Sequence, residues 1–155
     1  MKNFGRTYRL IAGTTGTYGF EIGKVDATTG RALRCTFEVE RGDSESNNSA
    51  TISVYNLSPQ SLAVLMQDNC VIDLQAGYEG DLSTIISGTV SQIQTEHDGC
   101  DVCTKIDIID GLTATRDTNV STSYRGSING KKILTDAAAS MGCSIVFSPS
   151  CTFPA

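Results

Sequence analysis

Two cysteines separated by two residues, Cys100-Asp-Val-Cys103, and the sole histidine, His97, three residues earlier, are the densest group of metal-ligating side chains in the chain. Two thiolates at this spacing can grip zinc, with His97 as a third ligand. A structural zinc site needs four ligands, and no second pair with suitable spacing follows. Cys143 and Cys151 would have to be brought in by the fold. A redox role would want the pair at the start of a helix, where the dipole lowers the thiol pKa. Here the pair straddles one arm of an expected hairpin. Plain thiols are therefore expected, with metal and disulfide as the alternatives.

His97 would also have to serve as the base of any Ser–His–Asp hydrolase. No G-x-S-x-G elbow supplies a nucleophile, so an exposed turn histidine is expected. Asp98, Asp101, Asp107 and Asp110 lie close in sequence and could serve acid–base work or calcium. Strand spacing puts Asp107 and Asp110 on opposite faces, which leaves solvated or turn-capping carboxylates. The glycines of GTTGTYG (13–19) lack the order and the Lys-Ser/Thr of a phosphate loop. No cofactor, metal or catalytic residue is expected, and the chain reads as no enzyme.

The elements that would hold these residues are mostly strands. RTYRLIA (6–12) and GFEIGKV (19–25) are short strand candidates on either side of the GTTGTYG turn. Arg31 to Arg41 alternates strictly, with Leu33, Cys35, Phe37 and Val39 on one face. RGDSESNNS after it reads as an exposed, mobile loop. Ala50 to Tyr55 resumes the alternation. Ser58 then caps a short helix with Pro59 at its first position, Leu57 and Leu62 forming a staple, and an end near Gln67 to Asn69.

Cys70, Ile72, Leu74, Ala76 and Tyr78 share a strand face, and Glu79-Gly80-Asp81 turns the chain. Leu82 to Glu96 is a long strand with Ile86, Gly88 and Val90 on one side. Ile93 falls out of phase, which predicts a bulge or bend near Ser91. His97-Asp98-Gly99 has hairpin-turn chemistry, and Val102 to Ile109 returns. A loop, a short strand at 118–124, a helix from Asn129 stopped by Gly142, and a strand at 144–147 complete the pattern.

The 155 residues suit one compact domain, or one plus the start of another. The expectation is a β domain over 1–125 and the start of a truncated α+β domain over 126–155. The net charge of −5, with 12 scattered Lys and Arg, argues against sequence-specific nucleic-acid binding. The N-terminus lacks the apolar run of a secretory signal, and no window suits a membrane helix. The six cysteines are then expected as free thiols in a reducing cytosol.

Three stretches in order carry a resemblance: ISVYNLSPQSLAVL (52–65), the segment from Val71 to Gly111, and STSYRGSINGKKILTDAAASMG (121–142). A strand ending in Asn-Leu-Ser leads into a capped helix. Then come Ala-Gly-Tyr-x-Gly, a strand with Ile-Ile-x-Gly, a paired strand ending in Asp-Gly, and Ser-x-x-Tyr-x-Gly-Ser before a helix. This resembles the N-terminal, tail-tube-like domain of phage baseplate hub and tail-tip proteins, over roughly residues 30–142.

The resemblance implies a mainly β fold, an antiparallel β-sandwich or half-barrel with one short flanking helix, plus a C-terminal helix–strand fragment. It implies a virion structural protein assembled in the host cytoplasm. Copies would associate as a trimer or ring that continues the tail tube, meets tube, spike or tip proteins, and lets DNA pass through its lumen. The hairpin at 82–109 would line the channel with the polar face of Thr84, Ser87, Thr89, Ser91 and Thr95. The family's hubs are considerably longer. Two other readings remain: a monomeric β-sandwich module binding a ligand or protein, and a small metal or thiol enzyme using Cys100, Cys103 and His97.

Overall fold

The computed structural model describes residues 5–14, 19–23, 32–42, 47–78 and 81–153. Among these residues seven strands are present: β1 (Arg6–Gly13), β2 (Phe20–Ile22), β3 (Cys35–Glu40), β4 (Ser49–Tyr55), β5 (Val71–Tyr78), β6 (Asp81–Asp98) and β7 (Asp101–Ile109). All pair antiparallel in one sheet, in the order β2-β1-β5-β6-β7-β4-β3. Three short helices accompany them: α1 (Pro59–Leu65), α2 (Leu112–Asp117) and α3 (Gly130–Ser140). The fold is β-rich α+β, as the strand patterns and the resemblance imply. No helix among the described residues is long and apolar enough to cross a membrane.

The 18-residue strand β6 organises the sheet. Its first part, Asp81 to Thr89, pairs with β5, and its second, Thr89 to Asp98, pairs with β7. Two rows of side chains therefore converge on it from opposite sides. One runs Ile22, Leu10, Leu74, Ile86 across β2, β1, β5 and β6. The other runs Phe37, Ile52, Ile106, Ile93 across β3, β4, β7 and β6. Leu10, Leu74, Ile86, Ile52 and Ile106 lie in a single buried cluster, against which Ile22 and Ile93 pack. Both halves of the sheet thus serve one core. Each fully buried Leu or Ile contributes about 1.5–3 kcal/mol by leaving water.

Such a turn of the sheet needs local departures from the ladder, and β6 has two. The register shifts opposite Leu74/Gln75, leaving Ile85 as an extra residue, and again between Val90 and Gln92, leaving Ser91. The bulge expected near Ser91 is there, and it returns Ile93 to the core side as its phase required. The hydroxyl of Ser91 donates to the Asp107 carbonyl at 3.0 Å, so the extra residue is tied down.

The helix signals also hold. Ser58 Oγ accepts the Ser61 N–H at 3.1 Å and Pro59 opens α1. Leu65 of α1 is buried in the core. The helix ends one residue later at Met66, slightly before the expected stop. Asn129 caps α3 through Lys131 N–H at 2.8 Å. At the other end Gly142 stands at φ 68, and the Gly142 and Cys143 N–H groups donate to the Ala139 and Ala138 carbonyls. That pair of bonds is the Schellman stop, which needs a left-handed residue at this position.

Three expectations are corrected. No strand forms at 118–124; the regular element nearby is α2, over Leu112–Asp117. No strand forms at 144–147, because Ser144 to Phe147 has no ladder partner. The strand expected over 31–41 is shorter, Cys35–Glu40, and Phe37 remains 41% exposed at the end of its row. The GTTGTYG turn, the Glu79-Gly80-Asp81 turn and the RGDSESNNS loop lie partly outside the described residues.

The chain divides into two compact units, Met1–Leu112 and Thr113–Ala155. The division comes ahead of the boundary expected after residue 125. In the second unit the rings of Phe147 and Phe153 meet edge-on at 5.1 Å. Tyr124 donates to Asp136 Oδ2 at 2.8 Å, and Lys132 pairs with the same carboxylate. No residue of α3 is buried.

Candidate functional site

The β6–β7 hairpin carries the residues first singled out for chemistry. Asp98 pairs with Asp101, so the turn is the two residues Gly99 and Cys100, with Gly99 at φ 65. His97 sits opposite Val102 and Cys103 opposite Glu96. Neighbouring residues of a strand point to opposite faces. His97 and Cys103 are therefore on opposite sides of the hairpin, while Cys100 is at its exposed tip. The ladder keeps the three apart. His97 is exposed, as expected, but stands in β6 rather than in the turn. Cys103 is 5% exposed and all six cysteines are free thiols.

The nearby carboxylates hold strands together. Asp107 Oδ1 accepts from the Thr51 hydroxyl at 2.7 Å, and Asp101 Oδ1 accepts from Asn56 Nδ2 at 2.8 Å. Among the described residues no group of three or more His, Cys, Asp or Glu side chains is placed to hold a metal ion.

The face of the hairpin turned away from the core is polar, but its membership differs from expectation. The two bulges reset the alternation of β6 twice. Thr84 lies opposite Gln75, Ser87 opposite Asp73, and Thr89 opposite Val71, all on the outer face. Past Ser91 the outer positions are Gln92, Gln94 and Glu96, opposite Asp107, Lys105 and Cys103. Thr95 pairs with the buried Thr104 and so faces the core side. A strict two-residue count carried across Ser91 misplaces it. Lys105 Nζ meets Glu96 Oε2 at 3.1 Å, and that contact raises the lysine pKa.

The two glycines of the resemblance gain a physical role here. A Cβ on Gly88 would fall 2.8 Å from the Ile109 carbonyl oxygen, where β6 leaves β5 for β7. A Cβ on Gly77 would collide with the Asp81 carbonyl oxygen across β5–β6. Neither position has space for a side chain.

A second feature, unforeseen from the sequence, is a groove of about 630 Å³ beside β3. Tyr8, Cys35, Phe37, Tyr78, Ile85 and Arg6 are among its lining residues. It lies where β1 and β3 approach without a shared ladder, and the Tyr8 hydroxyl spans the approach by donating to the Leu33 carbonyl. Burial raises the Tyr8 hydroxyl to about 12, with Cys35 adding to the shift, and burial raises the Cys35 thiol to about 11. Both groups stay protonated at neutral pH. The signal that could have located the groove is Tyr8, in phase with Leu10 and Ala12 on the core face of β1.

No protein-family profile matches the chain, and no curated protein matches it in sequence. Among solved structures, it is similar to the 43 kDa tail protein of prophage MuSo2 from Shewanella oneidensis. The likeness covers 89% of this chain and 38% of that one, with a TM-score of 0.53 and 11% identity. At that identity it is a likeness of fold. A structural neighbour of this β-rich chain is thus a prophage tail protein.

Proposed function

We propose that this chain is a non-catalytic structural component of a phage tail: the tube-like β domain of a baseplate hub or tail-tip protein. In the assembled virion it forms part of a ring that continues the tail tube and joins it to the spike or tip. Its partners are copies of itself and the adjoining tube, spike or tip proteins. The polar outer face of β6 lines the lumen through which DNA passes.

The observation that carries this reading is the fold likeness to a prophage tail protein over nearly the whole chain. The sheet adds physical support. Thr84, Ser87, Gln92 and Gln94 are exposed and hydrogen-bonding but uncharged, which suits a wet wall that must not hold phosphates. The net charge of −5 has the same sense.

The test is where the protein goes. In lysates of cells producing the phage, the chain should co-sediment with tail particles. Immunogold labelling should fall at the tail end distal to the capsid. Recovery only as free protein, or label on the capsid, would refute the assignment.

A further inference from the structure

Among the described residues two features each lack a counterpart, and the two match. The first is the outer edge of β3. Tyr55 N–H donates to the Arg34 carbonyl at 3.0 Å, which makes Arg34 and Tyr55 a hydrogen-bonded pair. Pair types alternate along an antiparallel ladder. Thr36, Glu38 and Glu40 therefore exchange bonds with β4, and the backbone groups of Cys35, Phe37 and Val39 point away from it. Among the described residues no strand meets that edge. The side chains of Cys35 and Phe37 line the groove beside it.

The second feature is Ser144 to Phe147. Its Ile-Val-Phe run is strongly strand-forming, yet it has no ladder partner, and Val146 is 92% exposed. Phe147 is held against Phe153, with Lys131 Nζ 5.2 Å from its ring. In an extended segment Val146 and Phe147 point to opposite sides.

We propose that Ser144 to Phe147 of one copy adds as a strand to the free edge of β3 in a second copy. Strand addition uses backbone hydrogen bonds for affinity and side-chain pockets for specificity. Val146 enters the groove beside Phe37 and Tyr8. Phe147 lies on the other face of the extended sheet, the face that carries Glu38 and Glu40. It brings Lys131 with it, so a cation arrives beside two carboxylates. Charge and alternation favour the same docking. The inference names a contact between copies that the tail-component reading leaves unspecified, and it does not rest on that reading.

The experiment is sedimentation equilibrium of the full chain over a concentration series. Wild type should self-associate. Because Val146 is exposed in the single chain, Val146→Asp leaves its folding intact, and association should weaken about tenfold or more as the valine's burial is lost. Lys131→Glu should also weaken association, and Glu38→Lys with Glu40→Lys in the same chain should restore it. Wild type that stays monomeric at every concentration overturns the proposal. So does Val146→Asp associating like wild type, or a charge reversal without rescue. Tail-localised protein with undiminished Val146→Asp association would sink this contact and leave the tail assignment standing.

Discussion

The side chain of Asn56 bridges to Asp101: its Nδ2 donates to Asp101 Oδ1 at 2.8 Å while its Oδ1 accepts the Val102 N–H at 3.0 Å. Its backbone N–H also donates to the Val102 carbonyl, and the residue stands at φ 57. Asn56 thereby prolongs the β4–β7 ladder one step past Tyr55 and turns the chain toward α1. Asparagine tolerates this left-handed conformation better than other residues with a Cβ.

Replacing it separates the two contributions. Asn56→Ala loses both side-chain bonds and puts a methyl-bearing residue at positive φ, which should cost about 1–2 kcal/mol. Asn56→Gly keeps the backbone and should cost less. Urea titrations of the three proteins check the order; equal losses would mean the backbone conformation is irrelevant.

Gly88 marks a place where side chains are excluded. Gly88→Ala places a methyl carbon against the Ile109 carbonyl, and backbone has to move to admit it. A loss of about 1–3 kcal/mol is expected, as for other overpacked sites. Ser87→Ala, next door on the outer face, should be near neutral in the same thermal melts.

Ser91 predicts a contrast between removal and substitution. Ser91→Ala loses one exposed hydrogen bond, worth about 0.5–1.5 kcal/mol. Deleting Ser91 closes the bulge: the pairs Val90–Ile108, Gln92–Asp107 and Ile93–Ile106 are kept and Ile93 stays on the core side, but the local bend that lets both halves of the sheet share one core is lost. The deletion should cost clearly more than the substitution, and hydrogen exchange of β7 amides should rise with it.

The thiols give a pH signature. Cys35 has a folded-state pKa of about 11 against an ordinary 9.0, because burial disfavours the thiolate. With the folded value raised, the contribution is fully present below pH 9.0 and is lost as pH rises toward 11. Cys35→Ser should flatten the fall in stability across that window. In alkylation followed by mass spectrometry at neutral pH, the exposed Cys100, Cys143 and Cys151 should label before Cys35.

Much of this architecture is legible in the sequence. The phase slip at Ile93 pointed to the bulge at Ser91, and Ser58-Pro59 and Asn129 with Gly142 marked the helix ends, because caps act through adjacent residues. The failures came where a local pattern lacks a partner. Ser144 to Phe147 has the composition of a strand, but a strand exists only against a neighbour. Residues 118–124 have little apolar alternation, and α2 is too short to show a helical period. The zinc alternative for Cys100, Cys103 and His97, already less favoured than plain thiols, finds no support for a related reason: closeness in sequence does not bring side chains to one face of a ladder. The groove depends on β1 and β3 meeting, and no spacing along the chain encodes that approach.

Among the described strands β6 is the only one paired with both halves of the sheet, so the ladder hydrogen bonds carry a pull that separates β2 from β3 through that one ribbon. Neither half can come apart quietly while the other survives, since each would lose a wall of the same oily interior. The domain should consequently behave under load as a single mechanical fuse, holding until β6 yields and then giving way at once.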